Sequence, residues 1–352
     1  MENPPQAAAN PAIRTDAVIV GAGPCGLFQV FELGLLGISS HIVDSLPKAG
    51  GQCTELYPDK PIYDIPAIPV CGAQELVDRL MAQIRPFHPQ FHLGQEVSRL
   101  QRRADGRFDV ETAAGTRFDA GTIVIAAGVG SFQPRRIGLT GADAFEGRQI
   151  HYRVRDAQQY HGKALLIFGG GDSALDWANE FAPKAGSLTL VHRRAEFRAA
   201  PASVARMREL AAAGKLTYIE GLPEALLAND GCLHGIRVKA NNGTLHEVAA
   251  EQVFAFFGLH PKLGPVAEWG LTMERKTLAV DTEKFQTSVP GIFAIGDVNH
   301  YPGKKKLILS GFHEAALAAF AIQLHLNPGK KQFLQYTTTS PVMHKRLGVT
   351  VE

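Results

Sequence analysis

Val18-Ile19-Val20-Gly21-Ala22-Gly23-Pro24-Cys25-Gly26 is the stretch on which the reading of this chain turns. Asp16 to Val20 is short, apolar and β-branched, and a glycine ends it, which predicts a buried strand. A helical stretch follows from Gly26 to about Leu36. A G-x-G-x-x-G triplet in that setting has a physical division of labour. Gly21 permits the tight turn, Gly23 lets backbone approach a pyrophosphate, and Gly26 lets helix and strand pack closely. The helix N-terminus then turns unpaired N–H groups and its positive dipole end towards phosphate. The next strand, Ile38 to Val43, ends at Asp44, about 20 residues on, where an acid hydrogen-bonds a ribose hydroxyl. A glycine triplet alone is compatible with a plain structural turn; strand, helix and acid in register with it predict a dinucleotide site.

The pattern restarts at Leu166-Ile167-Phe168-Gly169-Gly170-Gly171-Asp172-Ser173-Ala174, now G-x-G-x-x-A, with Ala174 as the small packing residue. The strand that follows, Ser187 to Val191, runs into His192-Arg193-Arg194, with Arg198 nearby. An acid there would select a free ribose 2′-hydroxyl. Guanidinium groups match a 2′-phosphate through charge-assisted, bidentate contacts, so this loop predicts NADPH. Two dinucleotide sites in one chain need chemistry between them. FAD at the first is the economical reading, because a flavin takes hydride and can return single electrons.

The remainder of the chain organises around these loops. Its 352 residues exceed one ordinary core. Val97 to Gln101, Phe108 to Thr112 and Thr116 to Asp119 predict an antiparallel meander, followed by a separate buried strand, Thr122 to Ala126. A second meander is expected over roughly Thr217 to Phe256, a strand at Ile292 to Ile295 and an apolar helix from Ser310 to Leu324. The βαβ unit with its meander thus occurs twice, the second copy inserted in the first. The expected fold is α/β: two Rossmann-like, three-layer dinucleotide-binding domains, the NADPH domain inserted in the FAD domain. The boundaries read as a disordered lead-in over 1–14, the FAD domain over 15–131 and 257–326, the NADPH domain over 132–256, and a C-terminal extension over 327–352. Ser45 to Cys71, rich in Gly, Pro and Tyr, is long for a structureless loop and is read as functional.

Composition excludes other classes. A net charge of +2 points to neither a nucleic-acid binder nor a membrane-surface protein, and no apolar run is long enough to span a bilayer. Four cysteines, Cys25, Cys53, Cys71 and Cys232, have no C-x-x-C or zinc spacing. They read as reduced thiols of a cytoplasmic protein, with no metal site.

The two loops, the His192-Arg193-Arg194 cluster and Gly291-Ile292-Phe293-Ala294-Ile295-Gly296-Asp297 together resemble the two-dinucleotide-domain flavoproteins. The chain looks most like thioredoxin reductase, from Asp16 to about Leu324. That family carries a redox C-x-x-C before its second glycine loop; Tyr152 and Arg155 stand at those positions here, so no disulfide can form. The chain is similar instead to the thioredoxin-reductase-like (type 2) ferredoxin–NADP reductases, through Gly50-Gly51-Gln52, then Leu56-Tyr57-Pro58, then Tyr63-Asp64.

The resemblance implies FAD contacts at Gly21, Gly23, Cys25 (through backbone), Gly26, Asp44, Gln52, Tyr57, Val97, Phe132, Gly296, Asp297 and Ser340. It implies NADPH contacts at Gly169, Gly171, Asp172, Ser173, Ala174, His192, Arg193, Arg194 and Arg198. It further implies a homodimer whose tail covers the partner's flavin, and ferredoxin or flavodoxin as electron partner. Hydride would pass from NADPH to the flavin, and electrons would leave singly. Tyr57 is the candidate ring stacking on one flavin face and Tyr336 on the other. His313 and Glu314, near a helix start, are candidates to face the flavin. Lys304-Lys305-Lys306 and Lys330-Lys331 are candidates to dock an acidic carrier. The alternatives are an NADPH-dependent disulfide reductase, with Cys25, Cys53 and Cys71 as its only thiols near the flavin, an oxygen-using monooxygenase, and a non-enzymatic nucleotide-binding module.

Overall fold

The computed structural model describes residues 11–58, 60–154, 156–331 and 334–349. The chain forms two compact units, one running to Ser131 and resuming at Pro261, the other Phe132–His260.

In the first unit a sheet is ordered Gln90–Leu93, Ser40–Asp44, Ile13–Val20, Arg117–Ile125, Phe108–Thr112, Val97–Arg102, with Ile292–Ala294 also paired to Arg117–Ile125. Strand Ile13–Val20 begins inside the stretch read as a lead-in, because Ile13 to Thr15 pair with Phe118 to Ala120. Residues 1–10 of that stretch lie outside the described residues. The two strands expected at Thr116–Asp119 and Thr122–Ala126 are one, Arg117–Ile125. Its first half pairs antiparallel with Phe108–Thr112, and its second half pairs parallel with Ile292–Ala294. Gly121 between the halves is not a breaker; a Cβ there would lie 2.8 Å from the Asp16 carbonyl oxygen.

Alternation along the strands builds a core on each face. Ala17, Ile19, Ile42 and Val124 face the helices Pro24–Leu36, Ala73–Ile84 and Ile308–Leu326. Val18, Val43, Ile123 and Ile125 face Val266, Leu271 and Leu278, so the third layer is a short 3-10 turn and a strand rather than α-helices. A fully buried Leu, Ile or Val on either face contributes about 1.5–3 kcal/mol over exposure. Helix Pro24–Leu36 starts with proline in its first turn, where no N–H partner is lost, and stops at Gly37, which takes the left-handed conformation at φ 74°.

The second unit repeats the plan. Its sheet runs Ile150–His151, Gln252–Ala255, Ala164–Phe168, Ser187–His192, Thr217–Asn229, Cys232–Ala240, Leu245–Ala249. The first five are parallel and the last three form the antiparallel meander. The meander is thus shorter than its expected span, because Gln252–Ala255 leaves it to pair with Ala164–Phe168. Leu165 and Ile167 pack on helix Asp172–Phe181, and Leu166 and Phe168 on the opposite core.

The tail carries one short helix, Pro341–Leu347, capped by Ser340. Arg346 donates to the carbonyl of Leu35, docking the tail on the C-terminal end of helix Pro24–Leu36. Among the described residues, no helix is long and apolar enough to cross a membrane.

Candidate functional site

Each unit presents one glycine loop at the C-terminal edge of its parallel strands. In the first, Gly21 has φ 113°, and a Cβ there would stand 2.4 Å from the carbonyl oxygen of Ala126. A Cβ on Gly26 would stand 2.0 Å from the Gly21 carbonyl oxygen. Both glycines are demanded by the protein itself. Gly23 is different: its backbone is ordinary, φ −71° and ψ 178°, and a Cβ there would meet no protein atom within 4 Å. It caps helix Pro24–Leu36 with no side chain to bond the first-turn N–H groups, which are left for a ligand to satisfy. That combination is what a pyrophosphate needs, and the residues present fit one.

The loop is held from three sides. Asp44 accepts from the Ala22 N–H at 2.6 Å and from the Leu46 N–H at 2.8 Å. Burial pushes its carboxyl up from the ordinary value, and those two donors oppose the rise. Gly50 N–H donates to Ala22 O at 2.8 Å, which brings Gly51 and Gln52 alongside Gly23. Gln52 Nε2 reaches Asp297 Oδ2 at 3.4 Å, and the Cys25 thiol packs against Gly296 and Gly311. The structure therefore gathers Gly21, Gly23, Cys25, Gly26, Asp44, Gln52, Gly296 and Asp297 in one place.

Tyr57 is half-buried beside them, hydrogen-bonded to Cys53 and within the field of Asp297; burial first, then Cys53, raises its hydroxyl. The thiols here are held in the protonated form. Burial, with Asp297 and Glu314 adding, pushes Cys25 up to about 12, and burial pushes Cys53 up to about 11.

The structure gives four further expected positions these surroundings. The Val97 side chain is a core residue, packed with Phe108, Val110 and Phe118. Phe132 falls in strand Ser131–Pro134, and its side chain lies outside what is described. Ser340 accepts from the Met343 N–H at 3.3 Å and donates to Gln335 at 2.5 Å, so its hydroxyl serves the tail helix. Tyr336 is 63% exposed. In one chain neither Ser340 nor Tyr336 is held against the first loop, because Arg346 anchors the tail at the far end of the helix that the loop begins.

The second loop has the same construction. Gly169 N–H donates to Val191 O at 3.0 Å, as Gly21 N–H does to Val43 O at 2.8 Å. A Cβ on Gly169 would lie 2.7 Å from the Ala174 methyl, so Ala174 acts through packing. Gly171, like Gly23, is an extended N-cap with no side-chain bond and no atom within 4 Å of a built Cβ. The segment after His192 folds back over the loop, with Arg198 N–H on Gly170 O at 2.7 Å and Ala200 N–H on Asp172 Oδ1 at 2.9 Å. The Asp172 carboxylate is thereby turned to backbone, while Ser173 is exposed.

His192 stacks on Phe197 at 5.1 Å and closes over Gly170; burial and the adjacent Arg193 and Arg194 lower its pKa. The carbonyls of Arg193 and Arg194 accept from Asn241 and Tyr218, which fixes the backbone. Among the described residues no carboxylate pairs with the guanidinium of Arg193, Arg194 or Arg198. Three guanidinium groups thus stand at and beyond the strand end without an ion-pair partner among the described residues.

At the positions of the missing disulfide, Tyr152 donates to Glu146 at 2.6 Å and accepts from the Ile137 N–H at 3.2 Å, a structural role; Arg155 lies outside the described residues. No group of three or more His, Cys, Asp or Glu side chains suited to a metal occurs among the described residues.

Glu314 and Lys304 were misplaced by sequence reasoning. Glu314 is fully buried and turned into the 296–304 segment, and Lys304 is 5% exposed, paired with it. Lys304 is therefore not a docking lysine. Lys330 and Lys331 follow the other end of helix Ile308–Leu326, about 28 Å away at 1.5 Å per residue, so they share no patch with Lys305 and Lys306.

Residues 15–320 match the family model described as pyridine nucleotide-disulphide oxidoreductase. A Cupriavidus metallidurans protein named ferredoxin–NADP reductase 2 is 60% identical over 98% of this chain and 95% of its own length. A Methylibium petroleiphilum protein named ferredoxin–NADP reductase is 61% identical over 96% of this chain and 93% of its own. In fold, the chain is similar to thioredoxin reductase of Lactococcus lactis, with a TM-score of 0.73 at 23% identity over 89% of this chain and 99% of that one. A bacillithiol disulfide reductase of Staphylococcus aureus gives 0.73 at 16% identity over 88% of this chain and 98% of that one. At those identities the likeness shows the fold alone. With the family model covering most of its length and such relatives along nearly all of it, the chain belongs to the pyridine nucleotide-disulphide oxidoreductase family and, within it, to the ferredoxin–NADP reductases.

Proposed function

We propose that this chain is a ferredoxin–NADP(+) reductase that binds FAD at the Gly21–Gly26 loop and NADPH at the Gly169–Ala174 loop. The observation that carries the reading is the pair of open, uncapped helix N-termini at Gly23 and Gly171, one beside the half-buried Asp44 carboxylate and the other beside three unpaired guanidinium groups. FAD, when bound, supplies a two-electron acceptor that releases electrons one at a time. The protein's own work is positional. The first loop and Asp297 hold the pyrophosphate and ribityl end, and Tyr57 lies along one ring face. Arg193, Arg194 and Arg198 select the 2′-phosphate.

Ferredoxin or flavodoxin is the proposed partner. Lys305 and Lys306, exposed on the loop between Asp297 and helix Ile308–Leu326, present the basic face for it. The chain is proposed to act as a cytoplasmic homodimer in which the exposed Tyr336 of one copy reaches the flavin of the other. A disulfide-reductase reading has no thiol pair beside the second loop and, beside the first, only thiols whose pKa desolvation raises.

The test is anaerobic. NADPH should bleach the yellow protein, and added ferredoxin should restore its colour with matching reduction of ferredoxin. A protein that NADPH bleaches but ferredoxin does not reoxidise, and that gains two titratable thiols on reduction, would belong to the disulfide-reductase class.

A further inference from the structure

Glu314 lies on helix Ile308–Leu326 with no exposed surface. Its Oε2 accepts from the Gly296 N–H at 2.7 Å and from Asn299 Nδ2 at 2.8 Å. Its Oε1 accepts from the Tyr301 hydroxyl at 3.0 Å and from the Lys304 ammonium. All four donors come from the 296–304 segment. Asn299 also donates to Ala294 O at 2.9 Å, and Lys304 lies over the Tyr301 ring at 5.4 Å. Asp297 and Cys25 lie close enough for Asp297, Glu314 and Lys304 all to act on the Cys25 thiol.

A buried carboxylate persists only when paired and fully hydrogen-bonded. For stability alone the pair is a poor choice, since apolar residues of the same volume commonly do as well or better. What an apolar side chain cannot do is hold a backbone N–H in one orientation. The N–H held here is that of Gly296, which adopts φ 77° and immediately precedes Asp297. Asp297 in turn meets Gln52 from the opposite side of the loop.

We propose that the buried Lys304–Glu314 ion pair is a positioning device that sets Gly296 and Asp297 against the FAD cradle. The pair determines how firmly the flavin is held without touching it. The inference rests on the assignment of FAD to the first loop. It removes Lys304 from any docking role, and it explains why this helix carries a single acid and buries it.

The experiment uses the FAD-loaded protein and three variants: Lys304→Met, Glu314→Gln and Lys304→Arg. FAD release is followed by flavin fluorescence on dilution, and the visible flavin spectrum is recorded before release. NADP(+) affinity and thermal unfolding of the apoprotein report on the rest of the molecule. Lys304→Met and Glu314→Gln should each speed FAD release by about ten-fold or more, the loss expected of a hydrogen bond to a charged group. They should shift the flavin bands and leave NADP(+) affinity close to that of the parent, while Lys304→Met, which strands a buried carboxylate, also lowers apoprotein stability, and Lys304→Arg should restore the parent release rate. Parent-like release and spectra in both variants would overturn the proposal. So would losses that track equal falls in NADP(+) affinity and apoprotein stability, or a failure of Lys304→Arg to rescue. Should Glu314→Gln not fold, Lys304→Met carries the test alone. A parent protein that retains no FAD would instead sink the cofactor assignment beneath it.

Discussion

Gly23→Ala separates two demands that the first loop makes of its glycines. The backbone at Gly23 is extended and open to any residue, and a Cβ there meets nothing within 4 Å. For the apoprotein the change is close to neutral. A less flexible unfolded chain favours alanine by about 0.4–1 kcal/mol, and alanine as a poorer N-cap than glycine costs about the same. For FAD the added methyl occupies the space in front of the uncapped N–H groups of helix Pro24–Leu36. Loss of one charge-assisted hydrogen bond of about 1.5–3 kcal/mol weakens binding roughly ten- to a hundred-fold, and loss of two weakens it further. Gly26→Ala should invert the pattern. Its Cβ would lie 2.0 Å from backbone oxygen, which cannot swing aside, so the cost falls on the fold, at about 1–3 kcal/mol or more. Fluorescence titration of apoprotein with FAD measures the first quantity and urea unfolding of apoprotein the second. If Gly23→Ala bound FAD like the parent, or lost as much apoprotein stability as Gly26→Ala, the space at Gly23 would not be a phosphate site.

Replacing Arg193, Arg194 or Arg198 by Ala should raise KM for NADPH by about ten-fold or more for each guanidinium removed, with NADH kinetics little changed; equal effects on both nucleotides would refute the 2′-phosphate role. Cys25 and Cys53 stay protonated in the fold at pH values above the ordinary thiol value of 9.0, up to about 12 and about 11. The unfolded chain therefore binds fewer protons than the native state across that window, and stability falls as pH rises above 9. Urea midpoints measured across that range should drop more in the parent than in a Cys25→Ala/Cys53→Ala variant, and parallel curves would contradict the assignment. Lys305→Glu with Lys306→Glu should raise KM for ferredoxin and weaken its salt dependence while NADPH–dye turnover is unchanged; a parallel fall in both activities, or in neither, removes the docking role.

Both glycine loops were legible because each is local: strand, spacing and helix lie within one short window, and steric demand fixes the residue types. Asp44 and His192 were legible for the same reason, each being the end of the following strand. Reading failed where partners are distant. Glu314 meets donors 10 to 18 residues upstream that periodicity does not connect, so it read as a helix-start residue facing the flavin, and Lys304 as one of a run. Strand Gln90–Leu93 alternates polar and apolar residues only briefly and exists because it pairs with Ser40–Asp44. Gly121 read as a boundary, although it is required by the Asp16 carbonyl next to a continuous strand. Ser340 caps helix Pro341–Leu347, a local role that Ser before Pro signals and that the reading of Ser340 through the family resemblance did not include.

The two loops show how one scaffold takes two nucleotides. Turn, packing and uncapped helix end are shared almost atom for atom, so none of them can tell the ligands apart. Discrimination has to come from the residues at and just beyond the end of the second strand of each unit. Asp44 spends its carboxylate on two backbone N–H groups, which pins the loop and leaves a negative site hostile to a 2′-phosphate. His192 instead covers its loop with a ring, and the backbone beyond it is tied down by Asn241, Tyr218 and Asp172. The guanidinium groups on that segment are thus fixed at their base and unpaired at their tips. A carboxylate nearby would satisfy them in the free protein and have to be displaced on binding. No such pair forms among the described residues, so the charges stay available, and the selectivity proposed for the second site would come from them, at the cost of local repulsion, rather than from any change in the loop itself.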